Sequence, residues 1–475
     1  MEYRKNQIIE TVIEDISDNG EGIGKINGYT LFIKDTVIGD RVKARITMVK
    51  KNYGYARVEE ILLPSADRTE PRCSLHRKCG GCNLQSMSYE AQLCYKQKKV
   101  REHLIRIGGF TPEFTDRIME PIEGASDTYR YRNKEQYPVG YDNNRNIISG
   151  FYISRSHAIV ECSDCYLGAS ENKIIVDILL KHFRKYKIEP YDEETGTGLI
   201  RHILIRKGAC SGEIMVCIIV NGADAVTRSG SGSVKGSVNA NSAGEKAEQI
   251  PFENELVKEL IKVNGIRSIC VNINNERTNV ILGKRTITLW GSETIRDTLM
   301  NMVFEISPES FYQINHEQTE KLYGVIRAYA DLSGKEEVWD ICCGVGTIGL
   351  CLADMAKEVH GIEIVPEAIR NAEKNAALNN KENVEFICAA AEEYLQANRD
   401  RIQADVMILD PSRKGMDERA LDAILTVKPG KIVYVSCDSA TLARDLRYLC
   451  SNGYTLQRVR AVDMFPQTVH IETIV

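Results

Sequence analysis

The chain has 475 residues, 43% of them hydrophobic and 27% charged, with a net charge of −5. That length predicts about three domains with cores of their own, and no run of 18 apolar residues exists to cross a membrane as a helix. The acidic balance excludes bulk attraction to nucleic acid, so any nucleic-acid contact has to come from local patches.

In chain order, MEYRKNQIIE lacks an apolar signal core, which predicts a soluble, cytoplasmic protein with no membrane partner. Residues 1 to 63 read as short strands with turns at Asp18-Asn19-Gly20 and Ile38-Gly39-Asp40, as in a small β-barrel. Within them, residues 41 to 57 carry six Lys or Arg and no acid, with Tyr53 and Tyr55 interleaved. Cations that meet phosphates beside aromatics that stack on unpaired bases suit folded RNA with an exposed loop, although a solvated β-surface explains the pattern equally well.

CSLHRKCGGCNLQ follows, placing Cys73, Cys79 and Cys82 in a C-x5-C-x2-C spacing. Three thiols this close in a reducing compartment point to metal binding. A fourth thiolate is available from Cys162 or Cys165 in HAIVECSDCYL. Iron–sulfur clusters and structural zinc both use four thiolates, so spacing leaves both open. The middle region, 64 to 305, continues with strand-like GLIRHILIRKG and GEIMVCIIVNG and a Gly/Ser-rich polar stretch, 224 to 248, expected to be a disordered insertion.

From 338 to 362 the pattern changes to an apolar strand, a glycine turn, a helical stretch and a second apolar strand ending at Glu363. Gly344, Gly346 and Gly349 form a G-x-G-x-x-G, and Glu363 lies 19 residues beyond Gly344, where such folds place an acid that binds ribose hydroxyls. NVEFIC, ADVMILD and KIVYVS are further strands, separated early on by helix-like EAIRNAEKNAALNN and DERALDAILTVK. This βαβ rhythm predicts a doubly wound α/β sheet in 306 to 475. Ligands on such sheets bind beyond the carboxyl ends of the strands. Asp340, Glu363, Asp410 and Cys437 stand at or just past those ends, which predicts one shared cleft. Cys437 supplies a nucleophile, and Glu472, on the last strand, a proton acceptor.

Five strings carry a resemblance: SFYQIN (310 to 315), DICCGVGTIGL (340 to 350), DPSRKG (410 to 415), YVSCDSATLARDL (434 to 446) and FPQTVHIET (465 to 473). They resemble the S-adenosylmethionine-dependent RNA uracil-5-methyltransferases, particularly the 23S ribosomal RNA branch with an N-terminal TRAM domain and an iron–sulfur cluster. The resemblance implies a TRAM barrel over 1 to 63, a central cluster-bearing α+β domain over 64 to 305, and a Rossmann-like class I methyltransferase domain over 306 to 475. It further implies Cys437 as nucleophile, Glu472 as base, Asp410 as the residue that fixes the target base, and a cofactor cleft of Gln313, Asp340, Cys342, Gly344, Gly346, Glu363 and Asp410. It selects Cys165 as fourth ligand of a four-iron four-sulfur cluster with Cys73, Cys79 and Cys82, and structured RNA, 23S ribosomal RNA above all, as the partner of a monomeric enzyme.

Three positions depart from the family pattern: Cys342 where an aromatic is usual, Ser412 where a second proline is usual, and Ala390 where an acid often contacts adenine. Transfer RNA remains open as substrate, as does methylation at another atom, for which Asp410-Pro411-Ser412-Arg413 would hold an exocyclic amine. A non-catalytic metal-bearing RNA-binding module is the remaining alternative.

Overall fold

The computed structural model describes residues 3–154, 156–222 and 249–475; the stretch 224 to 248, expected to be an insertion, lies outside the described residues. Residues Ile8–Leu63 form five strands closed into a barrel. The first strand buries Ile9, Thr11 and Ile13 and then Ile16, because a bulge between Ile13 and Asp15 shifts the two-residue alternation by one. Gly20 and Gly39, at φ 81° and 92°, make the turns read from the sequence.

The barrel core is completed by Leu84, Met87, Tyr95 and Val469 from outside it. Packing therefore crosses the chain boundary at 63.

A seven-stranded sheet follows, in the order Arg285–Gly291, Ile266–Ile273, Ile214–Val220, Ile200–Lys207, Lys134–Tyr141, Ile147–Tyr152 and Ile159–Glu161. Every residue of Ile214–Val220 is buried, as expected for a central strand covered on both faces. Leu204, Met215 and Cys217 share a core with Leu322, Val338 and Val435 of the C-terminal region, so the second boundary is crossed too.

The last sheet has the order Val384–Cys388, Glu358–Glu363, Glu337–Ile341, Val406–Leu409, Lys431–Ser436, Glu472–Ile474 and Arg460–Val462. Its first five strands are parallel and the last pairings are antiparallel. Two long helices add to the elements expected from the sequence. Tyr89–Arg106, capped by Ser88 Oγ on Ala91 N at 3.3 Å, sends Val100 and Leu104 into the core of this last sheet. His316–Ala330 is capped by Asn315, whose side-chain oxygen accepts from Gln318 N at 3.3 Å. Among the described residues no helix is long and apolar enough to cross a membrane.

Candidate functional site

Cys437 lies between the end of the strand Lys431–Ser436 and Asp438, the N-cap of the helix Ser439–Ser451. Asp438 Oδ1 accepts from Ala440 N and Thr441 N at 2.9 and 3.1 Å, and Asp438 N donates to Ser436 Oγ at 3.1 Å. The turn is thus clamped on both sides of a half-buried thiol.

Ser436 pairs with Thr473 in the antiparallel ladder, one residue short of both Cys437 and Glu472, and the charge of Glu472 acts on the Cys437 thiol. Glu472 is 4% exposed. Burial, reinforced by the charge of Asp410, pushes its carboxyl well above the usual range, while Arg413 works in the opposite direction. Burial also pushes the Cys437 thiol up, to about 11; Glu472 and Asp410 add to the shift and Arg413 opposes it. A strongly basic carboxylate and a thiol sharing one cation is a pairing suited to nucleophilic addition followed by proton removal.

Asp410 follows the strand Val406–Leu409, and burial pushes it up to about 7. Asp340 is likewise pushed up to about 7 by burial, partly offset by Gly349 N, which donates to its Oδ2 at 2.9 Å. The charge of Asp410 acts on Asp340, Cys342, Cys437 and Glu472. The sheet has gathered these groups at the carboxyl ends of its strands.

Beside them the glycine turn has Cys342, Gly344 and Gly346 at φ 65°, 56° and 76°. A Cβ at Gly346 would stand 2.6 Å from Phe386 Cζ, whereas one at Gly344 would meet nothing within 4 Å. Gly346 is thus a packing requirement and Gly344 borders open space. Glu363 Oε2 accepts from Gly344 N at 3.2 Å, and burial, with the charges of Glu363, Asp410 and Asp340, raises Cys342 to about 12. Gln313 sits in the loop before the helix His316–Ala330; Asn133 Nδ2 donates to its carbonyl at 2.8 Å, and among the described residues its side-chain amide makes no hydrogen bond. The open turn, the oriented carboxylate and the uncommitted amide fit an adenosyl cofactor.

Cys73, Cys79, Cys82, Cys162 and Cys165 line one cavity of about 90 Å³ together with His76, Gln85, Arg132 and Glu135. Gly81 N donates to Cys79 Sγ at 3.4 Å, while His76 Nε2 and Arg132 Nε are buried without a partner among the described residues. Burial raises Cys82 to about 11 and Cys162 to about 12. Among the described residues no three of these sulfurs lie within 4.8 Å of one another. A single tetrahedral zinc with bonds near 2.3 Å needs sulfurs roughly 3.8 Å apart. Thiols about one cavity, a backbone donor to Cys79 Sγ and the unpartnered Arg132 Nε–H suit a thiolate-held metal centre, zinc or iron–sulfur. Glu337, Glu358 and His360 do come that close together, but Lys357 Nζ is already 2.6 Å from Glu337 Oε1.

On the barrel, Phe32, Tyr53 and Tyr55 cluster with ring centroids 5.5 to 5.9 Å apart. The basic run is less free than its composition suggests: Arg41 pairs with Glu10, and Arg45 and Arg57 with Glu59. Among the described residues Lys43, Lys50 and Lys51 make no ion pair.

Two residues near the site carry roles that their sequence context does not reveal. Arg413 stands in the sequence only as part of DPSRKG, yet it is the cation felt by both Cys437 and Glu472. Gln467, within FPQTVHIET, is buried in the loop that leads to Glu472.

A closed five-stranded barrel joined to this seven-stranded sheet and cleft defines an S-adenosylmethionine-dependent methyltransferase fold with an RNA-binding module. The tRNA (uracil-5-)-methyltransferase family model matches residues 273–475 and the TRAM domain model residues 4–58. An RNA methyltransferase of Listeria monocytogenes serotype 4b is 44% identical over 472 residues, covering 99% of this chain and 97% of that one. One of Clostridium acetobutylicum is 44% identical over 474 residues, with the same coverage. The crystal structure of Pyrococcus abyssi tRNA (uracil-54, C5)-methyltransferase in complex with S-adenosyl-L-homocysteine superposes over 98% of both chains, with a TM-score of 0.73 and 25% identity. The chain belongs to the TRAM-bearing family of RNA uracil-5-methyltransferases.

Proposed function

We propose that the protein methylates carbon 5 of a uridine in 23S ribosomal RNA through a covalent adduct on Cys437, with Glu472 as the base. The observation that carries this reading is the ladder pair Ser436–Thr473, which adjoins both Cys437 and Glu472, with the charge of Glu472 acting on the Cys437 thiol and Asp410 and Arg413 acting on both. Carbon 5 of uracil is a weak nucleophile. Addition of the Cys437 thiolate to carbon 6 makes the ring an enolate whose carbon 5 can accept a methyl group. S-adenosylmethionine, held by Gln313, Asp340, Cys342, Gly344, Gly346, Glu363 and Asp410, would supply that methyl as a sulfonium. Glu472 then takes the carbon 5 proton, the ring double bond re-forms and the thiolate leaves. Asp410, part-buried and raised to about 7, holds the base in place.

Cys73, Cys79, Cys82 and Cys165 would hold a four-iron four-sulfur cluster, with Arg132 Nε as a donor toward it. The barrel and the cysteine-rich region would bind structured RNA as a monomer. Incubation with RNA bearing 5-fluorouridine at the target tests the chemistry. Fluorine cannot leave as a proton, so an adduct should survive denaturing electrophoresis and vanish in Cys437→Ser; an adduct that persists in that variant overturns the assignment.

Mapping 5-methyluridine in cells lacking the gene tests the substrate. Loss from 23S ribosomal RNA is expected. Loss from transfer RNA alone would replace that reading with a transfer RNA activity like that of the Pyrococcus abyssi enzyme.

A further inference from the structure

Glu472 opens its strand, and the nine residues before it, 463 to 471, form the loop back from the strand Arg460–Val462. Within this loop Thr468 N and Oγ1 donate to Phe465 O and His470 N donates to Thr468 Oγ1, and residues distant in sequence claim its carbonyls as well. Lys96 Nζ donates to Phe465 O at 3.0 Å and Tyr131 OH to Pro466 O at 3.0 Å. Lys96 also meets Asp463 Oδ1 at 2.5 Å, with both side chains fully buried.

The centre of the loop is Gln467, a non-glycine residue at φ 70° that is 4% exposed. A side chain in the left-handed region persists only where its surroundings over-determine it. Here they do. Gln467 N donates to Gln92 Oε1 at 3.0 Å, and Gln467 Oε1 accepts from Gln92 Nε2 at 3.1 Å. Gln467 O accepts from Asn83 N and Leu84 N at 3.0 and 3.1 Å. Gln92 is 1% exposed and is itself held by Met87 O and Leu84 O at 2.9 and 3.2 Å. Asn83 directly follows Cys82. The segment that leaves the cysteine-lined cavity therefore runs straight into the grip on the loop that delivers Glu472.

We propose that Gln92 and Gln467 form a latch that positions Glu472 over carbon 5 of the target ring, and that the cysteine-rich segment anchors this latch through Asn83 and Leu84. The inference rests on the reading of Glu472 as the base. The strand before Cys437 shares a ladder with the strand of Glu472, but Cys437 is fixed in addition by the Asp438 cap on Ala440 N and Thr441 N, which the latch does not touch. Loosening the latch thus disturbs the base more than the capped nucleophile, so the two halves of the reaction respond differently.

The test is a single-turnover experiment on the full chain, with rates of methyl transfer to unmodified RNA and of resolution of the methylated adduct followed separately. In Gln92→Leu, methyl transfer should stay within about threefold of wild type. Resolution should slow at least tenfold, so that protein joined to methylated RNA accumulates. Gln467→Gly provides an independent arm, because glycine adopts the same φ without strain and keeps the backbone bonds to Asn83, Leu84 and Gln92; it should show the same split, less strongly. If Gln92→Leu fails to fold, Gln467→Gly decides alone.

Wild-type rates for both steps, or equal loss in both, overturn the latch. Wild-type protein that methylates RNA without passing through an adduct on Cys437 would instead overturn the underlying mechanism, which keeps the two failures distinct.

Discussion

Gly344 donates its backbone N–H to Glu363 Oε2 at 3.2 Å, while Glu363 Oε1 accepts from Val365 N at 3.0 Å. Both carboxylate oxygens are oriented by the backbone, so the acid is preorganised at the edge of the open turn. Glu363→Ala should weaken binding of S-adenosylhomocysteine at least tenfold, since hydrogen bonds to a charged group contribute about 1.5 to 3 kcal/mol. Calorimetric titration reads this directly, and an unchanged dissociation constant would remove Glu363 from the cofactor site.

Arg413 opposes burial at both Cys437 and Glu472. Without it the thiol, already near 11, rises further, and so does the carboxyl. Arg413→Gln should move the alkaline limb of the rate of adduct formation with 5-fluorouridine RNA upward by roughly one pH unit, and Arg413→Lys by less. A pH profile that does not move would show that the guanidinium does not act on the thiol.

Asp410 combines a proposed role in the site with a cost in stability. Its folded-state pKa, about 7, lies above its ordinary value of 3.8. Between those values the unfolded chain releases the proton and the folded protein keeps it, so stability present below about pH 4 is lost as the pH rises through 7. The shift of about three units corresponds to at most about 4 kcal/mol. Asp410→Asn should abolish methylation yet lose less thermal stability than wild type between pH 5 and pH 8. Parallel melting curves for the two proteins would contradict the burial argument.

Five thiols border the cysteine cavity, but the proposed ligand set uses four. Anaerobically purified protein should be brown, with iron and sulfide in equal amounts. Cys73→Ser, Cys79→Ser, Cys82→Ser and Cys165→Ser should each lose most of the iron, and Cys162→Ser should retain it. Iron loss confined to Cys162→Ser rather than Cys165→Ser would exchange the fourth ligand, and colourless protein with one zinc per chain would replace the cluster.

The strands of the C-terminal sheet were legible because each is a short apolar run ended by a turn signal, and Asp340, Glu363, Asp410 and Cys437 fall where those runs stop. Barrel turns were legible from Gly20 and Gly39 for a similar local reason. The helix Tyr89–Arg106 was not legible although Ser88 supplies a cap, because Lys96 and Gln92 interrupt its apolar stripe. Those two polar residues are buried only because Asp463 and Gln467, some 370 positions later, complete them. The basic run on the barrel looks stronger in the sequence than it is for the same reason, since Glu10 and Glu59 neutralise cations that appear free there.

Residue types and local spacing determined, by themselves, the strands of the C-terminal sheet, the barrel turns, the glycine loop with its acid, and which thiols and carboxylates are candidates for chemistry. A covalent chain carries that information at short range, in periodicity and punctuation. Only the tertiary structure decided the proton affinities of the groups in the predicted cleft, because burial and the charges of Asp410 and Arg413 set them. It alone decided that a segment following Cys82 would hold the loop before Glu472, because a buried amide pair forms only once two distant pieces of chain exclude water from each other.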